Sequence, residues 1–170
     1  MKKIFLYTLV IAAFTLAFGC QEDFEPGGTA VESMAGTWNV HYDHSIYGVD
    51  AFGVGYTEVY TYNTSDNSSS EMWVSDLGNF WEYKVKVPVD MSALTFGTTD
   101  TLISAYEDYP IKVVVQNGKI IPNGANPPSG NPVDSIYFEV WFEDLADATG
   151  IVGDTLFVSG YRYTGWEEDQ

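Results

Sequence analysis

The only histidines of this 170-residue chain, His41 and His44, stand in the run Asn39-Val40-His41-Tyr42-Asp43-His44-Ser45. An imidazole beside a carboxylate and a hydroxyl has the composition of a base with its orienting acid and a nucleophile. Hydrolysis would also need an oxyanion site, and the Gly-x-Ser-x-Gly elbow that often supplies one is missing. His41 falls on the outer face of its strand pattern, and His44 with Asp43 and Ser45 reads as a strand-end turn, so no residue is assigned a catalytic role. No Cys/His metal spacing occurs, and Glu143, Asp144, Asp147 and Asp154 fall short of a calcium loop, so neither a metal nor a cofactor is expected. The remaining chemistry is aromatic. Tyr42, Tyr56, Tyr60, Trp81, Tyr83 and Phe138, all expected to point inward, form the candidate ligand surface, and the alternative is that they fill the interior. Tyrosine hydroxyls lean towards a ligand or water, because a buried hydroxyl needs a partner.

Those rings must be positioned by strands. With Tyr 12, Phe 10 and Trp 5, frequent Gly and Thr, and no sustained helical spacing, the chain is expected to be all-β. Trp38, Val40 and Tyr42 alternate with Thr37, Asn39, His41 and Asp43 in the first strand, around Ala35 to Asp43. The next strand spans Phe52 to Tyr62, with Phe52, Val54, Tyr56, Tyr60 and Tyr62 on its inner face. A polar loop, 63–70, leads to a strand at 71–75. The clearest alternation follows: Trp81, Tyr83, Val85, Val87 and Val89 inward against Glu82, Lys84 and Lys86. Met91 to Phe96 is a weaker strand, and Gly97 to Tyr109 is either a loop or a short strand. Asn117-Gly118 predicts a hairpin between 111–115 and 119–121, and 122–132 predicts an irregular loop. Two long strands, Asp134 to Glu143 and Asp154 to Tyr163, end the chain. Some eight or nine short antiparallel strands fit a sandwich or a barrel. The barrel is favoured because closure removes edges and about eight strands can enclose a small ligand.

The front of the chain reads as an address. Lys2 and Lys3, the apolar run Ile4 to Phe18 and Gly19 before Cys20 make residues 1–19 a secretory leader. Leu16-Ala17-Phe18-Gly19-Cys20 resembles a lipobox, which implies that Cys20, the sole cysteine, is acylated and tethers the protein to a membrane. A lone cysteine allows no intrachain disulfide. Residues 20–33 form an acidic Pro/Gly-containing tether, and 34–170 one domain. The acidic cluster after Cys20 is similar to a Bacteroidetes surface-export signal, or is simply a solvated linker. After Cys20 five basic residues face 24 acidic ones, a balance of −19, which excludes nucleic acid as a partner because phosphate binding depends on Lys and Arg.

Gly36-Thr37-Trp38 in the first strand with Arg162, the sole arginine, in the last resembles the lipocalin arrangement. There an arginine lies across a tryptophan, which assigns Trp38 and Arg162 to structural closure of the barrel floor; otherwise Arg162 snorkels to water. Gly78 to Val89, Ser92 to Gly97, Pro132 to Glu139 and Val158 to Gly165 carry a broader resemblance to Bacteroidetes secreted lipoproteins labelled lipid-binding putative hydrolases. That resemblance implies a single lipocalin-like up-and-down barrel, lipidation and an apolar ligand, and transfers no catalytic residue. Asp100-Thr101-Leu102, Asp134-Ser135-Ile136 and Asp154-Thr155-Leu156 also look like the O-glycosylation signal of such exported proteins.

The first expectation is therefore a lipid-anchored outer-membrane protein, at the cell surface if exported, holding a small apolar or amphipathic ligand in its barrel. The second is an accessory component of a nutrient-uptake system, binding glycan or an outer-membrane protein partner through exposed aromatics. A hydrolase is the third, requiring ester turnover that depends on His41 or His44. An interior cavity of roughly 300 Å³ or more separates the first from the second.

Overall fold

The computed structural model describes residues 28–169; the leader, Cys20 and the first part of the tether lie outside the described residues. Nine strands follow in order: β1 (Gly36–Asp43), β2 (Thr57–Asn63), β3 (Glu71–Ser75), β4 (Lys84–Asp90), β5 (Thr95–Phe96), β6 (Leu102–Ile103), β7 (Lys112–Ala125), β8 (Val133–Phe142) and β9 (Leu156–Arg162). One short helix, α1 (Leu145–Thr149), joins β8 to β9. All pairings are antiparallel. The ring runs β1-β2-β3-β4-β5-β7-β8-β9 and back to β1, an eight-stranded up-and-down barrel of lipocalin-like form, with the two-residue β6 paired to β7 further along the edge that β5 uses. Closure leaves the ring without a free edge.

Register decides which rings face in. Trp38 pairs with Val59 and Gly36 with Thr61, and directly opposed residues share a face. With Trp38 fully buried, Val59 and Thr61 must also point inward, so the second strand buries the face opposite to the one expected. Tyr60 and Tyr62 turn outward, Tyr56 is 53% exposed just before β2, and Phe52 lies in the preceding loop. The β4 alternation is as expected for Tyr83, Val85 and Val87, all fully buried, while Trp81 sits in the loop before the strand.

The expected hairpin at Asn117-Gly118 is absent, because β7 runs straight through it to Ala125 and takes Pro122 to Ala125 out of the expected loop. The dipeptide instead makes a bulge against β8, with a register shift between Gln116 and Lys119. Asn117 takes φ 55°, and a Cβ on Gly118 would stand 2.5 Å from the Phe96 ring, so glycine lets the two-residue β5 close on β7.

The interior is packed. Trp38, Tyr42, Tyr83, Phe138 and Phe142 are its largest wholly buried side chains. One end, the base, is plugged by Val31 and Met34 around the short 3-10 helix Glu32–Met34. Val31 has no exposure, so the folded body begins before residue 34 and includes part of the expected tether. The opposite end carries the four loops 44–56, 76–83, 97–111 and 143–155.

Candidate ligand site at the loop end of the barrel

Asp76 organises this end. Its carboxylate is fully buried and accepts five backbone N–H bonds: Oδ1 from Gly78 (3.0 Å) and Tyr83 (2.9 Å), Oδ2 from Phe80 (3.1 Å), Trp81 (2.6 Å) and Glu82 (2.9 Å). Such a nest satisfies a buried charge without a cation and fixes the loop around it. The loop turns on three positive-φ residues, Leu77, Gly78 and Glu82, which aim Phe80 and Trp81 across the mouth.

Phe80 stacks on Tyr42 at 4.0 Å, and Phe52 meets Phe80 and Trp81 edge-on at 5.5 and 5.7 Å. Trp81 lies parallel to Phe142 at 5.0 Å. Its Nε1–H donates to Asp144 Oδ1 at 2.8 Å, and the Tyr109 hydroxyl donates to the other oxygen of the same carboxylate. Partial burial and that carboxylate push the Tyr109 phenol up to about 12. Phe52, Phe80 and Trp81 are each partly exposed, and they form a lid over the buried Tyr42, Tyr83 and Phe142. A cleft of about 380 Å³ opens beside Phe80, Trp81, Glu82 and Tyr109. Beneath the lid the Tyr42 and Tyr83 hydroxyls approach to 3.5 Å, a weak mutual bond. Burial, with the Asp76 carboxylate nearby, holds both phenols well above their ordinary range, so they stay neutral donors.

Of the six ring residues expected at a ligand surface, the structure brings Tyr42, Trp81 and Tyr83 together. Phe138 lies deeper, 5.8 Å from Phe96, and Tyr56 and Tyr60 are on the outside. Tyr60 donates to Glu58, and that hydrogen bond, ahead of partial burial, pushes its phenol up to about 12. Tyr56 packs on Tyr161 and His41. Phe52, Phe80, Asp76, Tyr109 and Asp144 were not singled out for this site from the sequence.

At the base the Arg162 guanidinium lies 4.5 Å from the Trp38 ring centroid. Arg162 donates from Nη1 to the Ala35 carbonyl (2.7 Å) and from Nε to Asp134 (3.3 Å). Trp38 donates to Thr61 Oγ1 (2.8 Å), which donates to the Met34 carbonyl (2.6 Å). His44 is a clamp: Nδ1 accepts from the backbone of Ile46 and Tyr47, so Nε2 carries the hydrogen given to Asp154 at 2.6 Å. Nδ1 thus orders loop 44–56 internally, and Nε2 ties it to loop 143–155. No group of three or more metal-type side chains converges among the described residues.

A family model described as "Lipid-binding putative hydrolase" matches residues 23–167. No curated protein matches the chain.

Proposed function

The chain belongs to that lipid-binding family, and from this premise we propose that it takes up a small apolar or amphipathic lipid-like ligand at the loop end of the barrel. The observation that carries the proposal is the stacking of the lid residue Phe80 on the buried Tyr42. An acyl chain swinging Phe80 aside would inherit its apolar contacts, and the neutral Tyr42 and Tyr83 hydroxyls would donate to the ligand's polar end. Ile46, Val49, Leu77 and Val152, between 54% and 93% exposed on loops of the same end, would meet the lipid first.

The leader, the lipobox-like stretch and Cys20 support a lipid-anchored outer-membrane protein. Residue 28 enters at the base, so in that arrangement the mouth faces away from the anchor. The packed interior favours a second reading, an accessory surface protein binding glycan or an outer-membrane protein. Trp73 and Tyr62 lie outside the barrel under Lys84, 4.9 and 5.8 Å from its ammonium, as a stacking surface for sugar.

Tryptophan fluorescence of the full chain during titration with oleate tests the first reading. A saturable change that is lost in Trp81→Phe is expected; no change, or a response to oligosaccharides alone, would contradict it.

A further inference from the structure

The outside of the barrel carries a second constellation. Across β1, β9, β8 and β7 the registers set one row of outward side chains: His41 opposite Ser159, Ser159 opposite Tyr137, Tyr137 opposite Lys119. Directly opposed residues have Cβ atoms about 5 Å apart, within reach of an imidazole and a hydroxyl. Gly160 keeps the pair close, since a Cβ there would fall 1.9 Å from the Asn39 carbonyl oxygen. His41 Nδ1 lies 2.7 Å from Asp43 Oδ1, and that oxygen also accepts the Asp50 backbone N–H at 2.9 Å. A carboxylate only accepts, so Nδ1 carries the hydrogen and Nε2 is left as the base. The row borders a cleft of about 430 Å³ whose walls include Ile121, Tyr137 and Tyr161. Lys119, the only cation along this cleft, holds its ammonium 5.7 Å from the Tyr137 ring centroid.

We propose that Ser159, His41 and Asp43 form an acyl-hydrolase triad on the outer face, acting on carboxylic esters whose acyl chain lies along Ile121, Tyr137 and Tyr161. Ser159 Oγ adds to the ester carbonyl as His41 Nε2 takes its proton, and the Lys119 ammonium faces the developing oxyanion. Collapse breaks the acyl–oxygen bond, and the alcohol leaves with the proton from Nε2. Water then adds to the acyl-serine by the same relay, releasing the acid and restoring the serine, so ester and water give acid and alcohol with no other reactant. Asp43 fixes the tautomer. Ser159 is half-buried and lines the cleft beside His41, and a χ1 rotation would turn its Oγ to His41 as substrate arrives.

The test uses the full chain with p-nitrophenyl butyrate and a fluorophosphonate probe, the adduct being located by peptide mass spectrometry. Expected are turnover, probe on Ser159, and a loss of about 10³-fold in both on Ser159→Ala and His41→Gln. Absence of both turnover and label in the parent chain, or turnover that survives Ser159→Ala, would overturn the triad. Circular dichroism of the variants verifies folding, and Lys86→Gln, on β4 across the barrel from the row, should keep full turnover. Oleate binding at the lid should persist in Ser159→Ala, so loss of one activity leaves the other independently measurable.

Discussion

Asp76 shows how one side chain can set a site and leave no mark in the sequence, because its five partners are backbone N–H groups that any residue would supply. Asp76→Ala strands those donors in a buried loop and should cost roughly 3 kcal/mol of unfolding free energy. Urea denaturation measures it, and a loss below about 0.5 kcal/mol would contradict the nest's role. Trp38 and Arg162, by contrast, could be paired from the sequence through its resemblance to the lipocalin arrangement, with Gly36-Thr37-Trp38 in the first strand and the sole arginine in the last. A double-mutant cycle on them should give a coupling of about 0.5–2 kcal/mol, where strictly additive losses would remove the stacking contribution. Ser159 lay out of reach of sequence reasoning: nothing in its neighbours names His41 as its partner, and only the β1–β9 register does.

Among the elements, β4 was legible because Tyr83, Val85 and Val87 alternate with charged residues along one uninterrupted run. The second strand was misread because aromatic weight pointed one way and register the other: Val59, opposite the buried Trp38, outranks Tyr60. Asn117-Gly118 misled for a different reason. Left-handed backbone serves a bulge as well as a hairpin turn, and which of them forms depends on β5, a two-residue strand that hardly signals itself. The bulge is a closure device. Gly118→Ala puts a Cβ 2.5 Å from the Phe96 ring and 2.6 Å from the Phe96 carbonyl oxygen. It should lower stability by about 1–3 kcal/mol. An unchanged melting temperature would mean that the β5–β7 seam contributes little.

For the whole molecule, the all-β class could be argued from strand spacing and the closed ring from edge removal together with the family resemblance, whereas the packed interior could not, since alternation gives the direction of a ring and not the space around it. The neutral phenols have a global consequence. Tyr42, Tyr83, Tyr60 and Tyr109 all titrate above the ordinary phenol value of 10.0. Above about pH 10 the unfolded chain therefore releases protons that the folded one keeps, and stability falls as pH rises, while below it this contribution is fully present. The urea midpoint should hold up to about pH 10 and then decline, less steeply in Tyr83→Phe; a flat profile to about pH 11.5 would contradict the burial argument.

The most direct test of the central claim is a comparison of backbone ¹H–¹⁵N spectra of the full chain with and without oleate. Saturable shifts at Phe52, Phe80 to Tyr83 and Phe142, on the loops and strands around the lid, are predicted. Shifts confined to the outer face around Tyr62 and Trp73, or none, would contradict ligand entry through the loop end.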